Sequence, residues 1–265
     1  MPKLPKSFTD NLDQFTELVR NGALVFCNHS GGKDSQAMYL ILRQFVPRSQ
    51  LIILHADLGI VEHAGVKEHI RNTTDGLPLH IALKFNNEGK QLSLLEKVEE
   101  RGMWFDHRRR WCTSDFKTAP CNREIGRIAK KHFPNGNQVV ITCLGLRAQE
   151  STSRAEKAAW RVHDKLTTKT SLRRAYEFLP VQSMTEEEVF ELIDDAGQQP
   201  HPAYSEGYTR LSCQFCIFQP ARELQLSARR NPELAQAYVD LEARINHTFK
   251  PTQSLAEITG IQPNL

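Results

Sequence analysis

Residues 23–35 read Ala23-Leu24-Val25-Phe26-Cys27-Asn28-His29-Ser30-Gly31-Gly32-Lys33-Asp34-Ser35, and this stretch decides the fold class. Ala23 to Cys27 is short and apolar, as a strand buried on both faces is. Turn residues follow it. From Asp34 to Phe45 the apolar positions Ala37, Leu40, Ile41 and Phe45 recur at helical spacing, and Pro47 stops the pattern. Strand, glycine loop and helix in that order bring backbone N–H groups and the positive end of a helix dipole to one anion-binding point. Gly31 and Gly32 permit φ > 0 and a close approach of phosphate oxygens to the backbone. Lys33 supplies compact positive charge, and Ser30 and Ser35 supply hydroxyl donors. Asp34 would cap the helix or help hold a magnesium ion. A glycine turn beside a solvated lysine is the bland alternative, and the fit of strand, loop and helix argues against it.

Outward from this unit the alternation repeats. Leu51 to His55 reads as a second strand, a helix containing Val66 and Ile70 follows, and Leu79 to Phe85 reads as a third strand. A helix over Asn122 to Lys131 precedes a fourth strand, Gln138 to Leu144, and a fifth ends at Phe178-Leu179-Pro180-Val181. Thr185 with Glu188 three residues later forms a capping box that opens a helix ending at Gly197. The expected fold is α/β: an open, mostly parallel, five-stranded twisted sheet with helices on both faces and ligands at the strands' carboxyl ends. From Pro200 onward periodicity weakens until a polar helix near Pro232 to His247. Residues 199–265 therefore read as a small cysteine-containing lobe packed on an α/β domain of residues 1–198.

Composition narrows the class. The chain has 265 residues, a length for one domain with a small appendage. Hydrophobic residues at 40% and charged residues at 25% exclude disordered and collagen-like chains. No apolar run approaches the ~18 residues of a membrane span, and Met1 to Asp10 lacks a signal-peptide core, so a cytoplasmic protein that does not engage a membrane is expected. The net charge of +3, from 34 basic and 31 acidic side chains, is compatible with a phosphate-bearing substrate without requiring one. Six cysteines, Cys27, Cys112, Cys121, Cys143, Cys213 and Cys216, are poor disulfide candidates in a reducing compartment. Metal binding, catalysis or burial must explain them.

The loop lacks the Walker pattern G-x-x-x-x-G-K-[ST], which disfavours a γ-phosphate-cleaving P-loop. Ser30-Gly31-Gly32-Lys33-Asp34-Ser35 after an opening strand instead resembles the pyrophosphate loop of the N-type ATP pyrophosphatases, in their phosphoadenylylsulfate (PAPS) reductase-like branch. Four further segments extend the resemblance. His55 to Gly59 is similar to the acidic motif after the second strand, with Leu58 where threonine is usual. Arg110-Trp111-Cys112-Thr113 with Lys117 is similar to the R-x-C-T-x-x-x-K segment, and Gly145 to Ser151 with Arg154 to the G-x-R-x-x-E-S-x-x-R segment. His201 to Tyr204 followed by Arg210 to Cys216 resembles the carboxyl-terminal metal-binding segment. The resemblance implies that the loop grips the β and γ phosphates of magnesium ATP, so that attack falls on the α-phosphorus and pyrophosphate leaves. It implies nucleotide contacts from Ser30 to Ser35, Asp57, Glu150 and Ser151.

The residues support those roles independently. Arg147 follows the fourth strand at the sheet's carboxyl edge, where its guanidinium would neutralise departing pyrophosphate. Arg154 falls on nearly the same face if the helix continues. Glu150 would orient one of these arginines, coordinate magnesium or form a plain salt bridge. Asp57 ends an apolar strand, where a carboxylate serves a ligand or caps a turn. Lys33, Arg147, Arg154 and Asp57 are thus the catalytic candidates. His29 and His201 read as structural or substrate-contacting.

Cys213-x-x-Cys216 places two sulfurs for one metal and needs two more ligands. Cys112 and Cys121 are the additions, because Cys27 and Cys143 fall inside buried strands. Four thiolates suit a [4Fe–4S] cluster or structural zinc, and only the resemblance favours iron–sulfur. The adjacent cysteine pair of sulfonucleotide reductases is absent, since Thr113 follows Cys112. Either Cys121 replaces the missing ligand, or three cysteines hold a cluster with one iron open to sulfur.

A PAPS or adenylylsulfate reductase also uses a carboxyl-terminal nucleophilic cysteine, and the last cysteine here is Cys216. The expectation is therefore ATP cleavage to AMP and pyrophosphate, adenylylating an acceptor for sulfur transfer. The branch resembles the ATP pyrophosphatase component of DNA phosphorothioation systems, which implies DNA as acceptor and a cysteine desulfurase or other sulfur donor as partner. Arg108-Arg109-Arg110, Lys130-Lys131 and Arg173-Arg174 offer backbone contacts or solvated faces. A sulfonucleotide (PAPS/APS) reductase, a tRNA or small-molecule thiolation enzyme, and a nucleotide-binding module without turnover are the alternative classes. Oligomeric state is left open, a homodimer among the options.

Overall fold

The computed structural model describes residues 4–170 and 172–264. Among them six strands form one sheet in the order β3-β2-β1-β4-β6-β5. They are β1 (Leu24–Asn28), β2 (Leu51–Ala56), β3 (Leu79–Ala82), β4 (Val139–Leu144), β5 (Trp160–Val162) and β6 (Arg174–Phe178). The expected count of five is corrected to six. The added strand, β5, is three residues long and antiparallel to β6, whereas the other strand pairs are parallel. An edge strand lies outside the core, and Arg161 and Val162 are exposed, so no apolar run marked it.

The strand order carries the functional consequence. From β1 the chain steps outward through β2 and β3, then returns to place β4 on the other side of β1. This reversal opens a crevice at the carboxyl ends of β1 and β4, where parallel α/β sheets bind ligands. Asn28, the last residue of β1, fastens that end: its side-chain amide donates to Thr142 Oγ1 at 2.8 Å and to the Cys143 carbonyl at 3.0 Å.

The chain divides into two compact units, each built from separate segments. The first comprises Met1–Ala56, Gly65–Ala82 and Cys121–Pro202 and holds the sheet. Leu24, Phe26, Leu54, Val140, Ile125 and Ala129 form a core in it, and Phe8, Phe15, Phe45 and Phe178 form an aromatic cluster. The helix Lys33–Leu42 packs against the helix Glu186–Asp195. The capping box that opens the latter has the expected form, Thr185 Oγ1 accepting the Glu188 N–H and Glu188 Oε2 accepting the Thr185 N–H.

The second unit is more than a carboxyl-terminal lobe. It comprises Asp57–Ala64, Leu83–Pro120 and Ala203–Leu265, so the segments after β2 and β3 join the region that the sequence divides off at residue 199. The physical reason is burial of aromatic surface. Trp104, Phe105, Trp111 and Phe116 share one core with Phe215, Tyr238 and Phe249, and Trp104 stacks on Tyr238 with ring centroids 5.2 Å apart. Those large rings bury against the helices Ala221–Arg230 and Pro232–Ile245, not against the sheet. No helix among the described residues is long and apolar enough to cross a membrane.

Candidate active site

The loop after β1 is held by its own side chains. The Gly31 N–H donates to His29 Nδ1 at 3.1 Å, the Ser30 N–H to Ser35 Oγ at 3.1 Å, and Ser35 Oγ to the Gly32 carbonyl at 2.8 Å. Burial, with His69 and His55 nearby, pushes the His29 imidazole down to about 3. It is neutral, accepts through Nδ1 and carries its proton on Nε2. His29 is thus a structural brace of the loop. Gly31 has φ +80°, the left-handed region, whereas Gly32 is extended at φ −81°. Of the two glycines, only Gly31 needs the positive φ. The Ser30 and Gly31 amides are thus used inside the loop.

The first turn of the helix Lys33–Leu42 carries charge in both signs. Lys33 is 1% exposed, and its Nζ lies 2.9 Å from Glu186 Oε1, 3.6 Å from Asp34 Oδ2 and 5.7 Å from the centre of the Phe190 ring. Arg147, buried just after β4, pairs through Nε with Asp34 Oδ1 and donates from Nη1 to Gln149 Oε1 at 2.6 Å. Asp34 therefore orients Arg147, and no Ncap side-chain bond accompanies the helix start. Glu150 accepts the Arg147 N–H at 3.0 Å and pairs with Arg154. Ser151 caps nothing through its hydroxyl and contacts Ser153 Oγ at 3.3 Å. Glu186 and Gln149 were not among the sequence candidates. The capping box that starts the helix at Glu186 was the available signal.

Gly145 sets how closely β4 approaches this turn. A Cβ there would meet the backbone carbon and oxygen of Asp34 and the Ser35 nitrogen, each at 2.8 Å. Backbone on both sides has no rotamer to yield. Gly145→Ala is expected to lower stability by about 1–3 kcal/mol, the usual range for overpacking, and to move Arg147 away from Asp34. Denaturant midpoints and nucleotide titration check this; an unshifted midpoint with unchanged binding refutes the close approach.

In the second unit Asp57 Oδ1 accepts the Gly59 N–H at 2.8 Å, so this carboxylate caps the turn after β2. Cys112, Cys213 and Cys216 act electrostatically on one another and on half-buried Lys117 there. Burial pushes the Cys213 thiol up to about 12, against the opposing influence of Lys117. Burial also disfavours the Lys117 charge, but Cys213, Cys216, Cys112 and Glu62 outweigh it and hold its pKa above the ordinary lysine range. The Tyr238 hydroxyl faces the same cysteines and is buried with no hydrogen-bond partner among the described residues. Cys121, on the helix Ala119–His132, packs in the sheet core with Ile125 and Ala129, whereas Cys112, Cys213 and Cys216 are the cysteines that act on Lys117. Cys27 and Cys143 are buried strand residues whose thiols burial pushes up, as expected of core cysteines.

A glycine loop joining strand to helix at the reversal point of a parallel sheet, backed by a buried lysine and arginine, defines a phosphate-binding α/β protein. More specifically, the model of the phosphoadenosine phosphosulfate reductase domain matches residues 25–219, and the chain belongs to that family. It is 27% identical over 272 residues to an uncharacterized 37.8 kDa protein in the gpa 5′ region of Escherichia phage 186, covering 84% of this chain and 78% of that one. The PAPS reductase from Candida auris, in its phosphate complex, shares 14% identity with a TM-score of 0.47, covering 80% of this chain and 96% of that one. The U34-tRNA thiolase NcsA from Methanococcus maripaludis, with its [4Fe–4S] cluster, shares 12% identity with a TM-score of 0.43, covering 97% and 89%. Both structural likenesses are slight.

Proposed function

We propose that this protein cleaves ATP to AMP and pyrophosphate and thereby adenylylates an acceptor for sulfur transfer, with the DNA backbone as that acceptor. The observation that carries the reading is the charge arrangement at the β1/β4 reversal. Lys33 and Arg147, both buried, stand where a helix N-terminus and the sheet's carboxyl edge meet. Two fixed cations in a site screened from water stabilise a departing polyanion far more than exposed ones do. In the forward step a non-bridging oxygen of the acceptor phosphate bonds to the α-phosphorus of ATP. The α–β bridging bond breaks, and its electron pair leaves on pyrophosphate. Lys33 and Arg147 neutralise that leaving group, Asp34 orients Arg147 and contributes to the magnesium site, and Glu150 orients Arg154. Sulfide, released from the persulfide of a cysteine desulfurase or a similar donor by a thiol that ends as a disulfide, then bonds to the acceptor phosphorus; the bond from that phosphorus to the oxygen shared with AMP breaks, and AMP leaves with that oxygen and its electron pair.

The assignment of the cysteines favours ATP use over sulfonucleotide reduction. Three of the six pack in the sheet unit and three converge on Lys117, so none stands apart as a nucleophile. Cys112, Cys213 and Cys216 fit a [4Fe–4S] cluster: they would supply three thiolates, Lys117 would balance their charge, and the Tyr238 hydroxyl would gain an acceptor. Such a cluster, with one iron not held by cysteine, would carry sulfur for the transfer. Zinc on the same thiols is the competing occupant. Exposed Arg108, Arg109 and Arg110 lead into the turn carrying Cys112, and the Arg110 guanidinium lies 5.0 Å from the centre of the exposed Phe218 ring. Guanidinium beside an open aromatic face suits a phosphate backbone with an accessible base.

The test is incubation with magnesium and ATP labelled in the α and γ positions. AMP with pyrophosphate is expected; ADP with orthophosphate overturns the reading. For the acceptor, genomic DNA from cells with and without the protein, its sulfur donor present in both, should differ in phosphorothioate content. Thiolated tRNA with unmodified DNA would assign the acceptor to RNA instead.

A further inference from the structure

We infer that Glu186 is a built-in counter-anion that makes the loop selective for polyphosphates over orthophosphate and sulfate. The inference rests on the reading of the loop as the ATP phosphate site. Lys33 and Arg147 are already paired with Asp34 and Glu186, with Glu186 Oε1 2.9 Å from Lys33 Nζ and 3.8 Å from Arg147 Nη2. An incoming anion therefore meets cations that carboxylates already engage.

The four groups differ in freedom. Lys33 and Arg147 are buried, and Asp34 is engaged by Arg147 Nε. Glu186 is held by its backbone, whose N–H donates to Gln149 Oε1 at 2.9 Å, the oxygen that also accepts Arg147 Nη1. Its side chain, however, is 44% exposed. The carboxylate can therefore rotate into water while the helix start stays in place. Two anions sharing one buried ammonium repel at short range, so a phosphate oxygen reaching Lys33 must displace Glu186. Orthophosphate or sulfate makes few contacts to offset that loss. A magnesium-bound triphosphate brings several oxygens and a cation to receive the displaced carboxylate, so it offsets the loss. Glu186 thus acts as a specificity-determining residue, through the charge it lends Lys33.

The experiment measures binding of inorganic phosphate, pyrophosphate and magnesium ATP by calorimetry to the full chain and to Glu186→Gln, which keeps size and removes charge. Glu186→Gln is expected to bind phosphate about tenfold more tightly, the scale of one charged hydrogen bond, and to show a smaller ratio of ATP to phosphate affinity. Glu191→Gln removes an exposed charge from the same helix, beyond its first turn, and is expected to change phosphate binding by less than about twofold. Unchanged or weaker phosphate binding in Glu186→Gln, or an equal effect from Glu191→Gln, overturns the inference. If the unaltered chain binds neither pyrophosphate nor magnesium ATP, the functional reading falls and this inference with it. ATP binding with unchanged phosphate selectivity refutes the inference alone.

Discussion

Replacing Lys33 with alanine is expected to reduce AMP and pyrophosphate formation by a factor on the order of 10²–10³ or more, the cost of losing one preorganised charge at a developing anion. Two effects add. The leaving pyrophosphate loses the ammonium nearest the helix N-terminus, and the Asp34 and Glu186 carboxylates lose the cation they share. The site then repels the substrate it should bind, so affinity for ATP should fall together with turnover. Arginine at the same position should not restore activity, because its wide planar fork does not fit beside Phe190 in a buried slot. Quantifying labelled AMP under single-turnover conditions checks this, with circular dichroism to verify the fold. Near-normal AMP formation in Lys33→Ala would place the chemistry elsewhere in the molecule.

The second large effect concerns the thiols. Cys213→Ala and Cys216→Ala should each strip anaerobically purified protein of its visible absorption and bound iron, whereas Cys121→Ala should retain both. The contrast follows from packing. Cys213 and Cys216 act on the same half-buried lysine, while Cys121 packs with Ile125 and Ala129 in another core. Loss of colour in Cys121→Ala would restore a four-cysteine set. A colourless unaltered protein holding one equivalent of zinc would refute the cluster while leaving the thiol site intact.

Which features were legible follows from the range of the interactions that create them. The parallel strands and the helices between them were readable because buried segments must be apolar at a fixed period. The Thr185 capping box was readable because its bonds span three residues. β5 escaped because an edge strand answers to its neighbour β6 and not to a core. The packing of Cys121 with Ile125 and Ala129 was not legible because a thiol's neighbours depend on the direction its helix turns it. Glu186 was missed as a site residue because its role comes from Lys33, far away in the chain.

By itself the sequence determined the anion-binding loop, the parallel α/β class and the family-like order of its motifs, all consequences of local periodicity, glycine chemistry and charge at a helix start. Only the tertiary structure decided that Asp34 answers Arg147, that Gly145 must lack a side chain, that Glu186 answers Lys33, and that three thiols gather around one lysine. Those pairings join residues distant in the chain, and they form only when burial of apolar surface brings the two charges or two backbones together and removes the water between them.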